Sequence, residues 1–272
     1  MKHINKCIAT LALLSSVFTS CGKDNVAPAI DTNQKAMLSI QFDNIVGDKN
    51  LQLNTGTYTN AAGEDFKVSL LRYFISNIKV KTSSGEEYTV PQDSSYFLIA
   101  EDNAASQFVK VKVPVGEYAS LSFVLGVDSL RSTMDISKRT GVLDPTGGMD
   151  DGMYWGWNSG YIFFKMEGTS SVAPVDPSGQ HKFRYHIGGF GGYNAPTLNN
   201  VRTITVDLTA GGIAKVRQDR ESNVHLMVDI LKMFNGTTTV SIASNPTVMF
   251  SEFSTKVSGN YINMFTHDHT EN

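Results

Sequence analysis

Apolar and polar residues alternate along most of this chain. Leu38, Ile40 and Phe42 are separated by polar neighbours, which is the period of a half-buried strand. Phe66, Val68 and Leu70 repeat it. Ile78 and Val80 run into Thr82-Ser83-Ser84-Gly85-Glu86, and Tyr88 and Val90 return, which predicts a hairpin. Val109, Val111, Val113 and Val115 alternate with Lys110 and Lys112, so one face is core and the other is wet. Residues 114–118 turn the chain into Leu121, Phe123, Leu125 and Val127. Residues 161–166 are apolar on both faces and predict a central strand; further strands are predicted at 183–187, 201–208 and 224–230. Helical period is weak, and its best candidate is a short helix at 258–265. Many short strands divided by turn residues predict an all-β fold, an antiparallel β-sandwich of immunoglobulin-like type. Residues 131–157 lack alternation and are rich in Asp and Gly, which predicts a long irregular insertion before the central strand.

The N-terminal stretch breaks this pattern. Lys2 and Lys6 precede a short apolar run, residues 8–18, too short to span a bilayer, and then Thr19, Ser20 and Cys21. That order is the pattern of a secretory signal. Val17-Phe18-Thr19-Ser20-Cys21 resembles a relaxed lipobox, so residues 1–21 predict a lipoprotein signal ending at a lipidated Cys21. An ordinary signal cut near Cys21 is the alternative. Residues 22–35 are polar, contain Pro and have no period, which predicts a flexible tether. The domain proper is then 36–272. Lipid is the membrane attachment this predicts, with the protein exported and held at the periplasmic or cell-surface face of the outer membrane.

Charge and cysteine content narrow the chemistry. The 272 residues carry a net charge of −3, and two of the 23 basic residues, Lys2 and Lys6, fall in the leader. An acidic exported chain has no basic face for nucleic acid. The two cysteines, Cys7 and Cys21, both lie in the leader, so the body has no disulfide, no thiolate metal site and no thiol nucleophile. It has no Gly-x-Ser-x-Gly elbow, and Gly188-Gly189-Phe190-Gly191-Gly192 opens no predicted helix, so a phosphate cradle is absent. The residues support no catalytic site, and the expectation is a binding protein rather than an enzyme.

With thiols absent, imidazole is the strong ligand that remains for copper, zinc or nickel. His267-Asp268-His269 is the sharpest such signal. In an extended segment residues i and i+2 share a side, so both imidazoles would face one ion and Asp268 would point away. Two solvated histidines in a frayed terminus are the alternative. In Phe183-Arg184-Tyr185-His186-Ile187 the apolar residues take one face and leave Arg184 and His186 on the other; His186 is either a ligand or a buried, satisfied histidine. His225 reads as a packing or surface residue and His181 as a solvated loop residue. Asp144, Asp150 and Asp151 lack the spacing of an EF-hand and read as a turn. Met149, Met153, Met166 and Met264 flank these segments; thioether sulfur suits cuprous copper, but the favoured reading is core filling.

The densest aromatic stretch is residues 152–168, GMYWGWNSGYIFFKMEG, which carries both tryptophans, Trp155 and Trp157. Together with Leu125-Gly126-Val127-Asp128-Ser129-Leu130, Gly141-Val142-Leu143-Asp144-Pro145, Phe183-Arg184-Tyr185-His186-Ile187-Gly188-Gly189, residues 228–234 and Asn263-Met264-Phe265-Thr266-His267-Asp268-His269, it resembles the MbnP-like family of periplasmic copper-binding proteins encoded beside methanobactin genes. The resemblance runs from about Met37 to His269. It implies a β-sandwich that binds copper without turnover. It further implies His186, His267 and His269 as copper ligands, Asp128 and Asp229 as carboxylates orienting the imidazoles, and Trp155 or Trp157 as a site of oxidation to kynurenine by a dihaem peroxidase-like partner. Residues 146–151 look longer than the family's usual link. The rival expectation is a surface binding module in which Tyr154, Trp155, Trp157 and Tyr161 form a platform for a glycan or protein partner, without metal.

Overall fold

A computed structural model describes residues 30–146, 152–157 and 160–272. The leader with Cys21, most of the tether and most of the 146–151 link, including Met149, Asp150 and Asp151, lie outside the described residues. Among the described residues, ten strands of five or more residues build two sheets: β1 Lys35–Val46, β2 Asp65–Lys81, β3 Tyr96–Ala100, β4 Phe108–Pro114, β5 Ser120–Leu125, β6 Gly160–Thr169, β7 Lys182–Gly188, β8 Arg202–Asp207, β9 Ser222–Asp229 and β10 Phe265–Glu271. The smaller sheet runs β10-β9-β1-β4. The larger runs β8-β5-β2-β6-β7, with β3 along the middle of β2.

The alternating residues become the inner faces of these sheets. Leu38, Ile40 and Phe42 of β1 and Val224, Leu226 and Val228 of β9 are buried, as are Val109, Val111 and Val113 of β4. Opposite them lie Leu121, Phe123 and Leu125 of β5. The rings of Phe42 and Phe123 meet edge-on at 5.4 Å, and Phe265 meets Phe123 at 5.1 Å, so aromatic side chains join the two sheets. Each fully buried ring contributes about 2–3 kcal/mol. Gly160–Thr169 is the central strand expected, paired with β2 on one side and β7 on the other.

The all-β expectation holds, with three corrections. The pairing is mixed, not purely antiparallel: β1 and β9 run parallel, from Leu38 opposite Ser222 to Ile45 opposite Asp229. A long stretch of chain joins them, so no tight turn imposes antiparallel pairing. Second, Leu70 is not a core residue of β2. Val68 faces Gly168 and Leu70 faces Glu167, so Ser69 is an extra residue and the alternation slips until Leu71 is buried. Third, the helix near the C-terminus is α2, Glu252–Asn260, not 258–265. Its buried positions are Ser254, Val257, Ser258 and Asn260. That face is mostly polar, docked by hydrogen bonds between both serines and the buried Asn200, so it leaves little hydrophobic period to read.

The 131–157 insertion is irregular as expected. A short helix α1, Ser129–Thr133, and single turns at Ile136–Lys138 and Gly141–Leu143 lead to a two-residue strand, Tyr154–Trp155. That strand folds back on β6, Tyr154 opposite Tyr161 and Trp155 opposite Gly160.

Candidate functional site

Strand β7 sends Phe183, Tyr185 and Ile187 into the core and Arg184 and His186 outward. His186 stands beside Lys165 in the ladder, and its Nε2 lies 2.7 Å from Glu167 Oε1. The hydrogen bond from His186 holds the Glu167 carboxyl below its ordinary range, against the opposing effect of burial. Gly188 shares the outward face with His186, two residues on. A Cβ at Gly188 would lie 2.9 Å from the Trp155 ring and 2.3 Å from the Tyr161 carbonyl oxygen. The missing side chain is therefore the seat of the Trp155 indole. Trp157 packs on Trp155 at 5.2 Å and meets Phe250 edge-on at 5.7 Å, yet stays 54% exposed. Two blocks apart in sequence thus combine on one face: an indole pair, an imidazole and a carboxylate.

His267 and His269 are not on this face. They belong to β10, at the edge of the smaller sheet. His186 points away from the core on the larger sheet and His225 points away from it on the smaller one, so the expected set His186, His267 and His269 does not converge. Nor do His267 and His269 share a side. His269 pairs with His225 of β9, but His267 pairs with Leu226, so Asp268 is an extra residue in β10. The bulge breaks the i, i+2 rule on which the expectation rested. His267 turns to the strand edge, where its Nε2 lies 2.9 Å from Thr270 Oγ1 and its Nδ1 is buried without a partner. Burial pushes its pKa down.

The bulge instead turns Asp268 toward the two remaining imidazoles. Asp268 Oδ2 lies 3.0 Å from His225 Nδ1 and 2.8 Å from His269 Nδ1. The rings of His225 and His269 are 5.0 Å apart. Hydrogen bonds from His269 and His225 lower the Asp268 pKa, and the Asp268 carboxylate raises that of His269. His225 Nε2 also reaches Asp43 Oδ2 at 3.3 Å. His225 is thus more than the packing or surface residue its sequence suggested. The available signal was its position on the polar face of a strand, but only the register of three strands brings His225, Asp268, His269 and Asp43 together.

Among the described residues, Asp128 and Asp229 orient no imidazole. Asp128 caps α1, accepting from the Arg131 amide at 3.0 Å, and also accepts from Tyr96 at 2.6 Å and Asn77 at 2.8 Å. Asp229 accepts from the amides of Gly47 and Leu231. Among the described residues, the carboxylates beside imidazoles are Glu167, Asp43, Asp268 and, at 3.7 Å from His269, Glu271. His181 is held by the Ala173 carbonyl, and Met153, Met166 and Met264 are buried core residues.

A family model described as MbnP matches residues 35–250. Among solved structures, MbnP from Methylosinus trichosporium matches at a TM-score of 0.53 and 15% identity, over 80% of this chain and 82% of that one. At that identity the likeness is one of fold. No curated protein matches the chain. Strand β10 lies beyond the residues that the family model matches.

Proposed function

Because this chain belongs to the MbnP family, we propose that it is an extracytoplasmic, lipid-anchored copper-binding protein that captures, buffers or transfers the ion. The observation that supports this is the contact of Trp155 with Gly188, two residues from His186. It joins the two most specific blocks of the resemblance on one outward face. Copper is the cargo, and no turnover is proposed.

His186 and Glu167 supply one nitrogen and one oxygen donor of kinds that copper accepts. Two donors leave coordination positions open. Oxidation of Trp155 or Trp157 to kynurenine by a dihaem peroxidase-like partner would add donor atoms beside them. The exposure of Trp157 suits attack from outside, and the packing of Trp155 on Gly188 suits a fixed ligand. Cys21 would carry the lipid, and residues 22–35 would lift the domain from the membrane. No helix among the described residues is long and apolar enough to cross a membrane.

The test is metal analysis and intact mass of the mature protein isolated from its native membrane, followed by equilibrium dialysis with cuprous and cupric ions. Bound copper that is lost in His186→Ala and in Glu167→Gln supports the reading. Copper binding unchanged in both overturns this site. A second reading rests on the exposed ring of Trp157 beside Phe250: a platform for a glycan. It expects Trp157→Ala to abolish glycan retention while copper binding persists.

A further inference from the structure

We propose that His225, Asp268 and His269 form a second metal site, for a divalent d-block ion such as zinc or cupric copper, on the outer face of the smaller sheet. It is separate from the Trp155–His186 face and does not depend on copper binding there. Asp268 and His269 also lie beyond the residues matched by the family model.

The geometry is close to that of a loaded site. One ligand atom from each residue lies within 4.8 Å of the other two. Zinc–nitrogen and zinc–oxygen bonds of about 2.0–2.2 Å put tetrahedral ligand atoms roughly 3.3–3.6 Å apart, and opposed ligands about 4.2 Å apart. The widest separation must shrink by roughly an ångström, which rotation of the half-exposed His269 and Asp268 side chains can supply. The scaffold is two hydrogen-bonded strands, and the one irregularity in their ladder is the bulge that aims Asp268 at both rings. His225 is largely buried, with 13% of its side chain exposed, while His269 and Asp268 are about half exposed. The cluster is therefore both held in place and open to solvent.

The surroundings explain which atoms would bind. Both imidazoles turn Nδ1 to the shared Asp268 oxygen, and each Nε2 faces another carboxylate. That is Asp43 at 3.3 Å for His225 and Glu271 at 3.7 Å for His269. A ligating histidine commonly donates its other ring N–H to a carboxylate, which fixes the tautomer and raises ligand basicity. Asp43 and Glu271 are placed for that role, leaving each Nδ1 lone pair for the ion. Two neutral nitrogens, one carboxylate ligand and two further carboxylates suit a doubly charged ion. The trio contains no sulfur donor, the kind that would favour cuprous copper.

The experiment is titration of the full mature protein with zinc and with cupric ions, each alone, followed by calorimetry and dialysis. Wild type is expected to take one equivalent of zinc. His225→Ala/His269→Ala and the near-isosteric Asp268→Asn should abolish it, whereas His186→Ala should keep it. Asp43→Asn should weaken binding about 10–100-fold and shift the tautomer seen in imidazole nitrogen NMR. No zinc uptake by wild type, or uptake undiminished in both the double variant and Asp268→Asn, overturns the proposal. Because His186→Ala is read in the same titrations, failure here is distinguishable from failure of the copper reading.

Discussion

His269 stands across the β9–β10 ladder from His225, whereas His267, two residues earlier, stands across from Leu226. One extra residue, Asp268, produces that difference. The bulge is supported from outside the sheet by Gly211, whose carbonyl accepts from the Thr270 amide at 3.0 Å. A Cβ at Gly211 would lie 2.4 Å from the Asp268 carbonyl oxygen and 2.9 Å from the His267 ring. Backbone cannot swing aside as a long side chain can. Gly211→Ala should therefore cost about 1–3 kcal/mol, in the range of other overpacking changes, and weaken zinc binding by displacing Asp268. Urea denaturation and zinc dialysis on the same variant check both effects.

The same bulge marks the limit of what could be read from sequence. Period-2 alternation found the strands wherever each core residue had a polar neighbour, as in Leu38, Ile40 and Phe42 or Val109, Val111 and Val113. It found the outward face of His186 for the same reason. It failed at Ser69 and Asp268, where one inserted residue reverses every side chain after it and leaves no compositional trace. It failed for α2, whose buried face is built from Ser254, Ser258 and Asn260. The contact of Trp155 with Gly188 joins segments far apart in the chain, and no pattern within either strand encodes it. The His225, Asp268 and His269 cluster depends on the register between strands, which a single strand's pattern does not encode.

Gly188 provides a sharper test of the indole face. Its Cβ would meet both a backbone oxygen, Tyr161 O at 2.3 Å, and the Trp155 ring at 2.9 Å. Gly188→Ala should cost about 1–3 kcal/mol and push the indole off its seat. Trp155 fluorescence, read in a Trp157→Phe background, should shift to the red as the ring enters water. An unshifted spectrum would show that Trp155 does not rest on Gly188.

Tyr73 anchors a buried polar chain under the smaller sheet. Its hydroxyl donates to Asn44 Oδ1 at 2.9 Å, and Asn44 Nδ2 donates to Glu101 Oε2 at 2.9 Å. Burial first, then the negative charge of Glu101, push the Tyr73 hydroxyl far above its ordinary pKa, so it stays a donor at any working pH. Tyr73→Phe keeps the ring but strands the Asn44 oxygen, which is 1% exposed as a residue. The expected loss is about 1–3 kcal/mol. Replacing Asn44 with Leu as well should not double that loss, because the orphaned oxygen is then gone; a double-mutant cycle by urea denaturation reads the coupling.

Asp128 should give the clearest pH signature. Burial alone would raise its pKa, but hydrogen bonds from Tyr96, Asn77 and the Arg131 amide outweigh it and hold the carboxyl below its ordinary value. A depressed folded-state pKa contributes stability that is present above the unfolded pKa and lost as pH falls through the folded one. Asp128→Asn removes the ionised acceptor at the α1 cap while keeping the shape, and should cost about 1–2 kcal/mol near pH 7. The gap between wild type and variant should stay level down to about pH 5, then close below about pH 4 as the wild-type carboxylate takes its proton. Urea denaturation at stepped pH measures the gap directly. A gap that persisted unchanged to pH 3 would mean that shape, not charge, secures the cap.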